Sequence, residues 1–263
     1  MSFKQFLLEA KHTKMSVEET IELIKKDCKP FLKHGVALYR GMEQRTYGES
    51  GSRGVRFDRK PLTSSSKFSE FMFDYMYKIG APSREQSMFC TRDQTGTWDY
   101  GEEYTVFPKG NFRYFYFEDL SDAYTEIESA LDGSSVYQPW MVEDESKEEL
   151  FTRDEKDVLG QVHWYFNKTG DIRDAVDDYH DELIKIVESK ELDDELEEMV
   201  IGNLEDSRSA IYRVFKKLEY FQVNKNLNKA EDQEITIQCK EYYYILLDDV
   251  DEKSIFKELG IKK

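Results

Sequence analysis

Apolar residues in this chain recur every three or four positions in some stretches and bunch or alternate in others, and the change of period outlines its elements. Ser16-Val-Glu-Glu19 is a capping-box signature, a hydroxyl followed three residues on by a glutamate at the start of an apolar stripe. Val17, Ile21, Ile24 and Cys28 share one face of the helix it opens, and Pro30 stops it. A strand is predicted in VALYRGM, residues 36–42, which ends by setting Arg40 beside Gly41. A second helix runs from Ser66 to Ile79 with Phe68, Phe71, Met72, Tyr75 and Ile79 on one side, and Gly80 and Pro82 end it. Strand candidates follow in SMFCT (87–91), EYTVFPKG (103–110) and FRYFYF (112–117). A helical stretch comes next, in which Ile172, Ala175, Val176, Tyr179, Leu183 and Val187 fall at helical spacing, and then EITIQCKEYYYILL (234–247) returns to strand pattern. Strands on both sides of helices predict an α+β domain of two packed sheets carrying a helical insertion.

Composition narrows the class. With 39% hydrophobic and 14% aromatic residues in 263, the chain can bury a large core despite 35% charged residues, which excludes a disordered protein. No apolar run reaches the roughly 18 residues of a membrane span, and MSFKQFLLEA lacks the apolar core of a secretory signal, so no membrane partner is expected. Cys28, Cys90 and Cys239 form no CxxC pair, and His12, His34, His163 and His180 show no ligand spacing; a reducing compartment and no metal are expected.

Charge is concentrated. Residues 141–206 carry −16 of the net −17, in runs such as VEDESKEELF and ELDDELEEMV, and form an acidic helical insertion. Such a segment is either a solvated face, a docking surface for a basic partner or a mimic of nucleic acid charge. Two cationic stretches flank the remaining motifs: Arg40, Arg45, Arg53, Arg56, Arg59 and Lys60, then Arg208, Arg213, Lys216, Lys217, Lys225 and Lys229.

Three short motifs stand at strand ends: Tyr39-Arg40-Gly41; Phe89-Cys90-Thr91, followed by Asp99-Tyr100-Gly101; and Glu234 opening the last strand pattern. In this order they resemble the ADP-ribosyltransferase superfamily, in the Arg, Ser-Thr-Ser, Glu arrangement of its toxin-like and bacteriophage members. The resemblance covers residues 16–117 and 224–247 through element order and short motifs. It implies a split β-sandwich of two packed sheets with flanking helices, and NAD as a substrate rather than a resident cofactor. By resemblance Arg40 would hold the diphosphate, Glu234 would oppose the oxocarbenium-like centre formed as nicotinamide leaves, and Thr91 would supply the hydroxyl. Tyr39, Gly41, Cys90 and Tyr100 would complete the dinucleotide site, with Asp232 and Gln233 on the acceptor side.

Two departures qualify the acceptor and the site. Asp232-Gln233-Glu234 stands where family members carry Glu-x-Glu or Gln-x-Glu, and Cys90 stands at the usual first serine. A rival alignment uses Glu102 and Glu103 in YGEEYTVFPKG, which puts Tyr104 at the catalytic position.

The expected organisation is a removable head-targeting leader at 1–9, the transferase-like domain in two parts at 10–140 and 207–263, and the insertion at 141–206. The leader rests on Leu7-Leu8-Glu9, which looks like the cleavage site of proteins packaged in the heads of large tailed phages. The implied function is a mono-ADP-ribosyltransferase acting on a host protein or nucleic acid, in the host cytoplasm and carried in the virion. The alternative is a non-catalytic binding or virion-internal protein of the same fold that works through its acidic helical surface.

Overall fold

A computed structural model of the chain describes residues 12–55, 66–123, 125–127, 151–152, 154–155, 157–190, 192–247 and 252–261. The expected leader at 1–9, the basic residues Arg56, Arg59 and Lys60, and the acidic run at 142–150 lie outside the described residues. The chain divides into a sheet unit, Met1–Leu62, Ile79–Ser121 and Phe221–Lys263, and a helical unit, Thr63–Lys78 and Asp122–Tyr220.

The sheet unit contains two antiparallel sheets. The first joins β1 (His12–Lys14), β2 (Tyr39–Met42), β3 (Ser50–Gly54), β5 (Glu102–Pro108) and β9 (Glu241–Leu246) in the order β1-β3-β9-β5-β2. The second joins β4 (Met88–Cys90), β6 (Arg113–Phe117), β7 (Phe221–Val223) and β8 (Ile235–Gln238) in the order β4-β8-β6-β7. Helix α1 (Val17–Asp27) starts at the predicted cap, where Ser16 Oγ accepts the Glu19 N–H at 3.2 Å. Its acidic first turn and basic last turn suit the helix dipole. It buries Ile21 and Ile24 beside the short helix α2 (Lys29–Leu32), which contributes Phe31. Both sheets feed one core: Phe107, Tyr244 and Ile245 from the first, Met88, Ile235 and Ile237 from the second. The short helix α3 (Gln44–Tyr47) links β2 to β3.

Three features differ from the sequence expectation. EITIQCKEYYYILL is two strands in two sheets, with Cys239 and Lys240 making the crossing; the polar residues Gln238, Lys240 and Glu241 mark the break between the two buried strands. The VALYR strand lies further on, at Tyr39–Met42, so Arg40 is inside β2 rather than at its end. Strand β3, SGSRG, has no apolar signal, yet it runs between β1 and β9. Its small residues are required there: a Cβ on Gly51 would sit 2.2 Å from the Thr13 carbonyl and 2.6 Å from Tyr244 Oη.

The helical unit contains α4 (Ser66–Lys78), α5 (Val158–Thr169), α6 (Ile172–Glu188) and α7 (Asp194–Lys216). Asp157, Asp171 and Asp193 cap the last three through their carboxylates. The stripe expected on α6, Ile172, Ala175, Val176, Tyr179, Leu183 and Val187, is buried. The unit exceeds the acidic segment, because α7 continues past Asp206 to Lys216 and α4 belongs to it.

Candidate functional site

The sheet unit brings the three sequence motifs together through backbone pairing. Tyr39 N–H donates to the Thr91 carbonyl at 2.7 Å, and Thr91 N–H returns the bond to Tyr39 at 3.0 Å. This bridge joins the Arg40 strand to the end of β4. Strand β4 then pairs with β8, with Cys90 opposite Ile235 and Phe89 opposite Thr236. The ladder thus leads from Arg40 through Thr91 to the residue preceding Ile235, which is Glu234.

Alternation along the strands sorts the side chains. Met88, Cys90, Ile235 and Ile237 join the core, which carries Phe89, Thr236 and Glu234 to the other face. Cys90 is 4% exposed, so the thiol at the expected serine position points into the core and not to this face. All three cysteines are buried, and burial pushes the Cys28 thiol up to about 12.

Phe89 is the centre of the arrangement. Its carbonyl accepts a hydrogen bond from Arg40 Nη1 at 2.9 Å. Its ring lies 4.4 Å from the guanidinium carbon of Arg84, a residue of the 3-10 turn Arg84–Gln86. Arg84 in turn holds Glu234 with both ends of its fork: Nη1 pairs with Oε1, and Nη2 lies 3.5 Å from Oε2. The pair is largely shielded, at 13% and 23% side-chain exposure. Such bidentate ion pairs are short, directional and stronger than neutral hydrogen bonds. Arg40 Nε is buried and has no acceptor among the described residues; an unsatisfied buried donor of this kind costs about 1–3 kcal/mol.

The other candidates occupy supporting positions. Thr91 Oγ1 accepts the Asp93 N–H at 3.0 Å, closing the turn after β4. Tyr39 is buried and donates its hydroxyl to Glu252 at 3.1 Å, and desolvation followed by that carboxylate raises the phenol well above its ordinary range. Gly41 lies against the 3-10 turn Thr95–Tyr100: a Cβ there would come within 2.4 Å of the Thr97 carbonyl and 2.6 Å of Tyr100 Cβ. Tyr100 is 62% exposed. Glu234 N–H donates to the Ser121 carbonyl at 2.6 Å, and Gln233 Nε2 donates to the Glu118 carbonyl at 3.2 Å, while Asp232 is exposed.

The rival alignment falls on β5. Tyr104 is opposite Arg40 and fully buried, and its hydroxyl donates to the Gly48 carbonyl at 2.6 Å. Burial and Glu102 push its phenol up to about 12. Gln94 Nε2 donates to Glu103 at 2.8 Å and to Glu252 at 3.1 Å, which ties Glu103 to the start of helix α8 (Glu252–Leu259). Glu103 lies opposite Gly41, and Glu102 is exposed.

Arg84 escaped the sequence reading, since it belongs to no motif and precedes β4 in a turn with no periodic signal. The expected cationic flank is divided between the units. Arg208, Arg213 and Lys216 lie on α7 in the helical unit, where Arg208 pairs with Asp177 and Glu205; Lys217, just after it, pairs with Glu126. Arg53 covers the Tyr47 ring in the sheet unit. Among the described residues no group of three or more His, Cys, Asp or Glu side chains is placed to hold a metal ion, and no helix is long and apolar enough to cross a membrane. Comparison with family models, with curated proteins and with solved structures finds no match.

Proposed function

We propose that the sheet unit is a mono-ADP-ribosyltransferase, which uses NAD to modify a host macromolecule. The observation that carries the reading is the linkage of Arg40 and Glu234 through Phe89, with Thr91 bridged to the Arg40 strand. Residues nearly two hundred positions apart in the chain are thereby connected, Arg40 on the Phe89 carbonyl and Glu234 through Arg84 on the Phe89 ring. Arg40 anchors the diphosphate, for which a planar guanidinium is better suited than an ammonium. As the bond from ribose C1′ to nicotinamide breaks, its electron pair leaves on the nicotinamide nitrogen and positive charge grows on the ribose. The Glu234 carboxylate stabilises that charge, the acceptor's nucleophile adds to C1′, and its proton is lost.

One observation favours a second reading. Glu234 is already neutralised by Arg84, which suits a protein that binds a dinucleotide without cleaving it and acts instead through its acidic helical surface. Incubation of the purified protein with labelled NAD and host lysate separates the two. Transfer of label to a macromolecule supports the transferase; retention of NAD binding with no nicotinamide release supports the binding protein.

A further inference from the structure

Arg84 and Arg40 are held on either side of one residue by different means. Arg40 is fixed through a backbone carbonyl, while Arg84 rests on an aromatic ring and is otherwise engaged by Glu234. The three charged side chains sum to +1, so the cluster as it stands favours an anion. Arg40 retains a donor, Nε, with no acceptor among the described residues. The Arg84–Glu234 contact is the one in this cluster that a competing anion can replace without breaking a backbone hydrogen bond. Diphosphate oxygens and carboxylate oxygens are alternative partners for the same guanidinium fork.

We infer that Arg84 is an exchange residue: a ligand diphosphate takes its guanidinium from Glu234, completes a two-arginine clamp with Arg40, and thereby releases the Glu234 carboxylate. Phe89 is the platform on which the guanidinium turns from one partner to the other. The inference rests on the dinucleotide reading above for the identity of the ligand, though the exchange itself requires only the diphosphate group. Its consequence is that the carboxylate is free only when the site is occupied, so binding and availability of the charge-stabilising group are coupled.

The exchange is testable by binding alone. Titration calorimetry with inorganic pyrophosphate on the full chain should show Glu234→Gln binding about tenfold more tightly than the unmodified protein, because removing the internal competitor frees the fork. Arg84→Gln should weaken pyrophosphate binding by about tenfold or more, Arg84→Lys should fall between, and the Glu234→Gln gain should vanish in the double variant, as required if both changes act on one contact. Melting curves confirm that each variant is folded, and Arg84→Lys carries the test if Arg84→Gln does not fold. Unchanged pyrophosphate affinity in Glu234→Gln and in the folded Arg84 variants overturns the exchange, as does failure of the unmodified protein to bind pyrophosphate at millimolar concentration. A parallel titration with NAD distinguishes the source of the diphosphate: the same Arg84 dependence supports a dinucleotide, and its absence with NAD overturns the dinucleotide as the ligand. Tightening by Glu234→Gln in a protein that never consumes NAD would leave the exchange standing and sink the transferase; normal NAD consumption with no Arg84 dependence would do the reverse.

Discussion

Tyr39 and Thr91 exchange a pair of backbone hydrogen bonds, 2.7 and 3.0 Å long, and through them the strand bearing Arg40 meets the strand that pairs with the Glu234 segment. The joint is made by main chain, so the identity of the Thr91 side chain and the integrity of the joint are separable. Thr91→Ala keeps both bonds and removes only the acceptor for Asp93 N–H, at an expected cost of about 1 kcal/mol in urea denaturation. Thr91→Pro removes the N–H that bonds Tyr39 and should cost about 3 kcal/mol or more, with loss of ligand binding. Equal stability in the two variants would show that the bridge does not hold the sheets in register.

Under the proposed function, Glu234→Gln should lower NAD turnover by about 10² to 10³, the scale of removing one preorganised electrostatic group. Arg40→Ala should chiefly raise KM, since the diphosphate is held in the ground state as well as the transition state. Glu103→Gln, on the rival strand, should retain most activity. Steady-state nicotinamide release measures all three, and the opposite ranking of Glu234 and Glu103 would move the site to β5.

Gly41 is constrained by the turn packed on it. Gly41→Ala places a methyl 2.4 Å from the Thr97 carbonyl and 2.6 Å from Tyr100 Cβ, neither of which is the free end of a flexible side chain. The 3-10 turn Thr95–Tyr100 must move, at an expected cost of about 1–3 kcal/mol. Thermal melting reads the loss.

The helical unit should weaken in acid. His180 on α6 is 4% exposed, and among the described residues neither ring nitrogen has a hydrogen-bond partner. Asp181 and Glu205 oxygens stand off at 3.8 and 3.7 Å, and desolvation, the largest effect, with help from Arg208, lowers its pKa below 6.5. As pH falls through 6.5 the unfolded chain takes up a proton that the folded state resists, so stability is lost from there down to the lowered folded value. Urea midpoints at pH 7.5 and 5.5 should differ less in His180→Gln than in the unmodified protein. His12 and His34, whose pKa values burial also lowers, leave a residual slope in the same direction.

Where one element supplies its own period and its own cap, the sequence was enough. Ser16 to Asp27, Ser66 to Lys78 and the buried stripe of α6 are legible because helical packing repeats along a single segment. The candidate residues Arg40, Thr91 and Glu234 were legible as an ordered set of motifs, and the structure brings their segments together. What stayed hidden depends on partners distant in the chain. Ser50–Gly54 is a strand because Thr13 and Tyr244 crowd it, and no local pattern records that. Residues 235–246 change sheets at Cys239 and Lys240, where the interruption, Gln238, Lys240 and Glu241, is too short and too free of turn residues to announce a crossing. Arg84 matters through an aromatic ring and a carboxylate 150 residues away, a relation that only tertiary structure creates.

The carboxyl-terminal segment supplies interior strands to both sheets: β9 lies between β3 and β5, and β8 between β4 and β6. For a chain made from its amino end, this sets an order of assembly. The helical unit is fully synthesised by Tyr220, whereas each sheet still lacks a middle strand at that point. Glu234 arrives with those strands. A nascent chain halted before residue 221 would therefore have every helix of the helical unit but two unclosed sheets, and Arg40 and Arg84 would be waiting for the carboxylate that joins them last.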